Sequence, residues 1–247
     1  MSPESASQRP AAPANPFVVL QQDAHLIQTV DAALADATRR AGSHLACRPG
    51  CTQCCYGAFA ITPLDALRLR NAMHEMAIDQ PARAAIIAER ANRYLAEFGP
   101  SFPGSHETGI LGTSEDDQTA FEEFANQAAC PALDPETGLC DLYAARPMTC
   151  RVFGPPVRMN SAPKAEVQGD SEPADEEGLA VCELCFTEAT AEEIAAAEMT
   201  VPYEEERSLL DQLERMQPNS GNSSSETIIA YCLTLPPAPP APSSAPH

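Results

Sequence analysis

Tryptophan is missing from this 247-residue sequence, aromatic residues make up only 5% of it, and there is a single lysine, Lys164. A core without large aromatic side chains must be built from Ala, Leu, Ile and Val. Basic residues are scarce, with 15 against 35 acidic ones and a formal charge of −20 at pH 7. A field of that sign repels phosphate backbones and anionic lipid, so no nucleic acid and no membrane surface is expected as a partner. No apolar run approaches the length of a membrane span, and no apolar stretch follows the Ser/Pro/Ala-rich Met1–Pro16 as a secretory leader would require. The chain therefore reads as cytoplasmic, where thiols stay reduced. Also missing are a Gly-rich dinucleotide loop, a phosphate loop, an H-E-x-x-H zinc helix and a G-x-S-x-G elbow, so no familiar enzyme class is indicated. Glycine is outnumbered by proline, 12 to 24, which points to a loop-rich chain.

What the sequence does have is cysteine. Ten are present, and four of them, Cys47, Cys51, Cys54 and Cys55, fall within nine residues as C-x3-C-x2-C-C. Packing never requires four sulfurs in one short loop, whereas a thiophilic metal does. Cys130, Cys140 and Cys150 follow at even spacing, and Cys182 and Cys185 form a further C-x2-C pair. A reduced compartment argues against disulfides, so these nine are the candidate metal ligands. A tetrahedral site takes four thiolates, and nine can fill two sites with one left over or one site with spares. Cys51-x2-Cys54 has the spacing in which two thiolates reach one metal around a tight turn. The adjacent Cys54 and Cys55 project differently, so the pair is expected either to bridge two metals or to contribute one ligand. Arg48, Arg146 and Arg151 lie next to cysteines and are candidates to offset thiolate charge or donate hydrogen bonds to sulfur. Cys232, isolated in the apolar run Ile228–Leu235, reads as core. His44 is the histidine nearest the cluster, and an exposed helix-end role suits it.

The expected fold is mainly α with a small irregular β-hairpin, a cysteine-rich domain stapled by metal, with disordered termini. Residues 1–16 form a tail, 17–217 the metal-binding domain with a mobile acidic insertion at 160–178, and 218–247 a polar linker, an apolar segment and a Pro-rich end. Helices are predicted over Gln21–Arg40, Pro63–Ala77, Gln80–Phe98, Thr119–Gln127, Ala191–Met199 and Pro202–Met216. Thr62-Pro63-Leu64-Asp65 and Thr190-Ala191-Glu192-Glu193 are their clearest start signals. Ser101–Gln118 reads as loop. Cys130–Tyr143, with a Pro135–Gly138 turn, reads as a hairpin carrying a cysteine on each arm. Ile228–Leu235 reads as strand or packed coil.

These residues resemble a known family. Cys47-x3-Cys51-x2-Cys54-Cys55, the Thr62–Asp65 helix start, Cys130-Pro131-x-Leu133-Asp134 leading to Gly138-x-Cys140, and Tyr143-x2-Arg146-Pro147-x2-Cys150-Arg151 are similar to the YkgJ-type cysteine-cluster family, with a zinc- or iron-chelating domain. The similarity covers about Cys47 to Phe153. It implies small bacterial proteins that chelate metal through these cysteines, with zinc or iron as cofactor and the metal ion as partner. A related cluster in flagellin lysine methylases resembles an iron–sulfur site. Two functions follow: a module holding zinc or iron as a structural or storage centre, or an iron–sulfur enzyme of lysine-methylase or redox type. The long insertion after Cys55 and the extra Cys182/Cys185 pair depart from the family pattern and leave the number of metals open.

Overall fold

The computed structural model describes residues 16–158, 179–216 and 225–234. The expected tails, the acidic insertion and most of the polar break after Met216 lie outside the described residues. The rest is largely helical, as the sequence predicts. α1 (Pro16–Ala41) starts five residues before the predicted boundary and buries Val19, Leu26, Val30 and Ala37. Those positions fall on one face of a 3.6-residue period. α2 (Pro63–Asp79) is capped by Thr62, whose Oγ1 accepts the Asp65 N–H at 3.2 Å, and Pro63 occupies the first turn, where its missing N–H costs nothing. α3 (Pro81–Phe98) begins after the single residue Gln80 and buries Ala84, Ile87, Ala88, Ala91 and Tyr94, while Ile86 faces solvent. The alanines let α3 pack closely on α2 and on the short α8 (Ile229–Cys232). The last apolar segment is thus a short helix docked on α2 and α3.

The 101–118 loop is more ordered than its composition suggests. β1 (Gly104–Ser105) pairs antiparallel with β2 (Ile110–Leu111), and α4 (Glu115–Glu123) begins earlier than predicted. The reason is local: Ser114 and Asp117 form a reciprocal capping box that sets the start four residues before Thr119. β3 (Val157–Arg158) and β4 (Leu179–Ala180) make a second two-stranded pair. α5 (Met148–Val152) precedes them in sequence, and α6 (Ala191–Ala196) and α7 (Tyr203–Met216) follow. The predicted Cys130–Tyr143 hairpin is reduced to one antiparallel bridge, Leu133 with Cys140, because Asp134 builds a tight polar turn. Its Oδ1 accepts the Glu136 N–H at 3.0 Å, its Oδ2 accepts the Thr137 hydroxyl at 2.6 Å, and Gly138 takes the left-handed conformation that closes it.

Among the described residues, apolar side chains gather in four clusters. One joins α2, α3 and α8 and takes Cys130, Cys140 and Cys150 against its flank; a second joins α1 and α7. Six of the aromatics gather in a third, where Phe102 lies 5.0 Å from Tyr231 and 5.7 Å from Phe124. The fourth is small and carries Cys185 and Phe186.

Between α1, α2 and α7 lies a buried charged group. Arg68 bonds Asp23 and Asp65, the latter at 2.7 Å, and Glu206 sits beside them on α7. Burial first, then the Asp65 charge, pushes the Glu206 carboxyl up to about 7, with Arg68 opposing and Asp23 adding to the shift. A carboxyl raised on folding holds a proton that the unfolded chain releases, so its stabilising contribution is full below about pH 4.5 and is lost as pH rises through about 7. Glu206→Gln is expected to remove that dependence. Urea melts from pH 5.5 to 8 should show the wild type losing about 2 kcal/mol more than the variant. Parallel curves would contradict the assignment.

Candidate metal centre

Each cysteine is placed by a short turn tied to a helix. The first loop is two tight turns, Cys51 N–H to Arg48 O at 2.9 Å and Cys55 N–H to Thr52 O at 2.8 Å. Cys55 O accepts the Cys130 N–H at 2.7 Å, which brings the 130–143 segment onto it across the 74 intervening residues of helix and loop. The tip of that segment, Gly138, stands 3.7 Å from the Gly50 Cα as measured from an added Cβ. Asp141, next to Cys140, is gripped by Arg83 at 2.7 Å and by Arg90, which also donates to Leu133 O at 2.7 Å. Cys150 rides on α5, whose first amide, Met148 N–H, donates to Asp65 Oδ1 at 2.9 Å. Cys182 and Cys185 close a turn of their own, and Phe186 N–H donates to His44 O at 2.8 Å. Gln53 and Glu183 link the two C-x2-C loops at 2.6 Å.

The strongest interactions among the sulfurs fall into two sets with no member in common. Cys47 shares a hydrogen bond with Cys185 and feels Cys182 and Cys51, and Cys182 likewise feels Cys185 and Cys51. Cys54 and Cys55 are hydrogen-bonded to each other; Cys55 feels Cys130 and Cys140, and Cys150 feels Cys130, Cys54 and Cys140. The fold thus sorts nine thiols into a four-thiol group, Cys47, Cys51, Cys182 and Cys185, and a five-thiol group, Cys54, Cys55, Cys130, Cys140 and Cys150. Cys51 and Cys54, which their spacing would pair, turn to different groups. The vicinal Cys54 and Cys55 turn to the same one. Cys232 belongs to neither and lies in the α2/α3/α8 core, where burial pushes its thiol up to about 11.

Burial is the leading cause that disfavours ionisation at Cys47 and Cys130, both raised to about 12, and it raises Cys140, Cys150 and Cys182 as well. Cys47 is exposed as a residue, and Gly154 lies against its sulfur: a Cβ there would stand 2.8 Å from it, at φ +121°, a conformation that favours glycine. In the vicinal pair the hydrogen bond from Cys55 holds Cys54 low and pushes Cys55 up. Against burial the backbone aims donors at sulfur. Ala132 and Leu133 N–H serve Cys130, Leu142 serves Cys140, Leu184 serves Cys182, and Ala46 N–H reaches Cys185 Sγ at 3.3 Å. Such bonds favour the thiolate, and neutral buried thiols have little use for them. Among the described residues no three His, Cys, Asp or Glu side chains are placed to hold a metal ion as they stand. What the structure provides is the donor chemistry: clustered soft ligands, amide bonds to sulfur, and burial that makes the thiolates dependent on a cation.

The three arginines separate clearly. Arg48 is exposed. Arg151, 2% exposed, is consumed by structure, donating to Arg146 O at 3.2 Å, to Ala144 O, and to Asp31 on α1 at 2.5 Å. Arg146 stacks over Tyr143 and acts on Cys54 and Cys140. His44 stacks on Phe186 with ring centroids 5.7 Å apart and faces Glu193 at 3.6 Å, away from a ligand role. Sequence reasoning missed the struts at Asp23, Asp31, Arg83 and Arg90. Only Asp65 had a signal, as the acidic residue in a helix cap. No helix among the described residues is long and apolar enough to cross a membrane.

No curated protein and no solved structure matches the chain. A family model, CxxCxxCC, described as "Putative zinc- or iron-chelating domain", matches residues 46–185, more than half of the sequence, and so takes in Cys182 and Cys185 along with the first seven cysteines. With the motif blocks, the amide-supported sulfurs and this match pointing the same way, the chain belongs to the CxxCxxCC family of zinc- or iron-chelating cysteine-cluster proteins.

Proposed function

We propose that the protein holds two metal–thiolate centres, one on Cys47, Cys51, Cys182 and Cys185 and one on Cys54, Cys55, Cys130, Cys140 and Cys150, and that these centres serve as structural or storage sites for zinc or iron. The observation that carries this reading is that Cys182 and Cys185 pack with Leu45 and Ala46 beside Cys47, whereas Cys130, Cys140 and Cys150 flank the α2/α3/α8 cluster and Cys130 N–H bonds Cys55 O, and that the mutual influence of the sulfurs divides the same way. Four thiolates complete a tetrahedral ion, and each set joins loops distant in sequence, so each ion would tie together segments that the apolar clusters alone hold weakly.

The five-thiol group favours a second reading. Five donors exceed what one tetrahedral ion takes, and iron–sulfur clusters use the same thiolate chemistry. In that case the four-thiol group is structural and the five-thiol group is redox-active, as in an enzyme of lysine-methylase or redox type. Anaerobic purification separates the two: a brown protein with broad visible absorption and acid-labile sulfide supports the cluster, and a colourless zinc protein supports the storage or structural module.

Ligand assignment is tested by metal content. Cys182→Ser and the double variant Cys140→Ser/Cys150→Ser, which leaves three thiols of the five, should each lose about half of the bound metal by elemental analysis, and Cys51→Ser should behave as Cys182→Ser does. Cys232→Ser should retain all of it. Equal metal in all four variants would end the two-centre reading.

A further inference from the structure

Buried side-chain atoms without a hydrogen-bond partner are few among the described residues, and Arg146 carries two of them, Nε and Nη1. Its side chain is 9% exposed. One face of the guanidinium is covered by the Tyr143 ring, 3.8 Å from its centroid. Its remaining nitrogen, Nη2, stands 3.8 Å from Asp31 Oδ1, an oxygen already taken by Arg151. Stacking satisfies the face of a guanidinium but not its in-plane N–H groups, and a buried guanidinium is costly to leave without an acceptor. The thiols on which its charge acts are Cys54 and Cys140, both of the five-thiol group. No cation is among the groups that act most on Cys47 or Cys182.

Resting on the reading that the thiols hold metal, we propose that Arg146 is an internal counter-ion and hydrogen-bond donor of the five-thiol centre, beside Arg90, which acts on Cys130, with Arg146 Nε–H and Nη1–H reserved for sulfur made anionic by metal binding. Several thiolates around a divalent ion leave a net negative charge, and a guanidinium fork is suited to meet it because its donors are rigid and it never loses its proton. The two centres are then different in kind. The five-thiol centre is charge-compensated from within, and the four-thiol centre relies on backbone amides and solvent.

Anaerobic titration with Co(II), followed by its thiolate charge-transfer and ligand-field bands, tests this on the full chain. In a Cys182→Ser background, which leaves the five-thiol group, Arg146→Gln should weaken cobalt binding by about 10- to 100-fold and shift the charge-transfer band. Arg146→Lys, which keeps the charge without the fork, should recover part of the affinity. In a Cys140→Ser/Cys150→Ser background, which leaves the four-thiol group whole and only three thiols of the other, Arg146→Gln should bind cobalt unchanged, and this also serves as the check that the variant folds. Unchanged cobalt binding in the first background, or equal losses in both, overturns the proposal while the metal reading stands. A wild-type chain that takes up no cobalt overturns both.

Should Arg146→Gln fail to fold, arginine side-chain NMR of the unaltered protein decides. Zinc loading must slow the exchange of one buried arginine Nε–H, assigned through Arg146→Lys. The absence of any such resonance counts against the proposal.

Discussion

Stripping the bound metal with a chelator under reducing conditions is expected to lower the melting temperature by about 20–40 °C, or to leave the cysteine-bearing segments unfolded at room temperature. The size follows from two comparisons. Structural zinc held by thiolates contributes roughly 10–16 kcal/mol of apparent binding free energy in small peptides, and an ordinary domain is stable by only about 5–15 kcal/mol. In a chain of this length each kcal/mol moves the melting temperature by about 2–4 °C. The apolar clusters here offer little to replace that contribution. The cluster of α2, α3 and α8 is closed on the cysteine side by Cys130, Cys140 and Cys150 themselves, and the cluster around Cys185 consists of Ala41, Phe186 and Ala197 with partly buried neighbours. Re-addition of zinc or iron should restore the transition. A melt unaffected by removal, with elemental analysis showing the metal gone, would mean that the thiols do not anchor the fold.

The second large effect is expected far from any sulfur. Asp65, 1% exposed, donates its backbone N–H to Thr62; its carboxylate accepts from Arg68 one turn on and reaches across to the first amide of α5, which carries Cys150. Asp65→Ala removes an acceptor from a buried arginine and from a buried backbone N–H at once. Breaking a buried ion pair by deleting one partner costs about 3–5 kcal/mol. The melting temperature should fall by about 6–20 °C, and metal bound by the five-thiol group should fall with it because α5 loses its tie to α2. Asp65→Asn, which keeps one oxygen in place, should lose less on both measures. If thermal melts and metal content of Asp65→Ala match the wild type, the strut plays no part in positioning Cys150.

The caps were legible because their information is local. Thr62-Pro63-Leu64-Asp65 and Thr190–Glu193 each satisfy their own helix start within four residues, and both helices begin where predicted. Ser114–Asp117 carried the same signal and was hidden by its Gly/Ser/acid-rich surroundings. The sorting of the sulfurs was not legible, since a C-x2-C spacing describes only what two residues can reach around a turn. The sulfurs that Cys51 and Cys54 act on lie far along the chain, Cys182 for one and Cys140 for the other. Asp65 illustrates both cases in one residue. Its place in a helix start and its pair with Arg68 three residues on are local, whereas its bond to Met148 belongs to the packing of α2 against α5.

The short stretch Cys51–Cys55 supplies sulfur to both groups, and each group is completed only by residues much later in the chain. A ribosome therefore releases the early cysteines long before Cys150 or Cys182 exists to join them. During synthesis the first quartet stands as open, oxidisable thiol with no distant partner to complete a site. Newly made chains should depend on reducing conditions more than mature ones do.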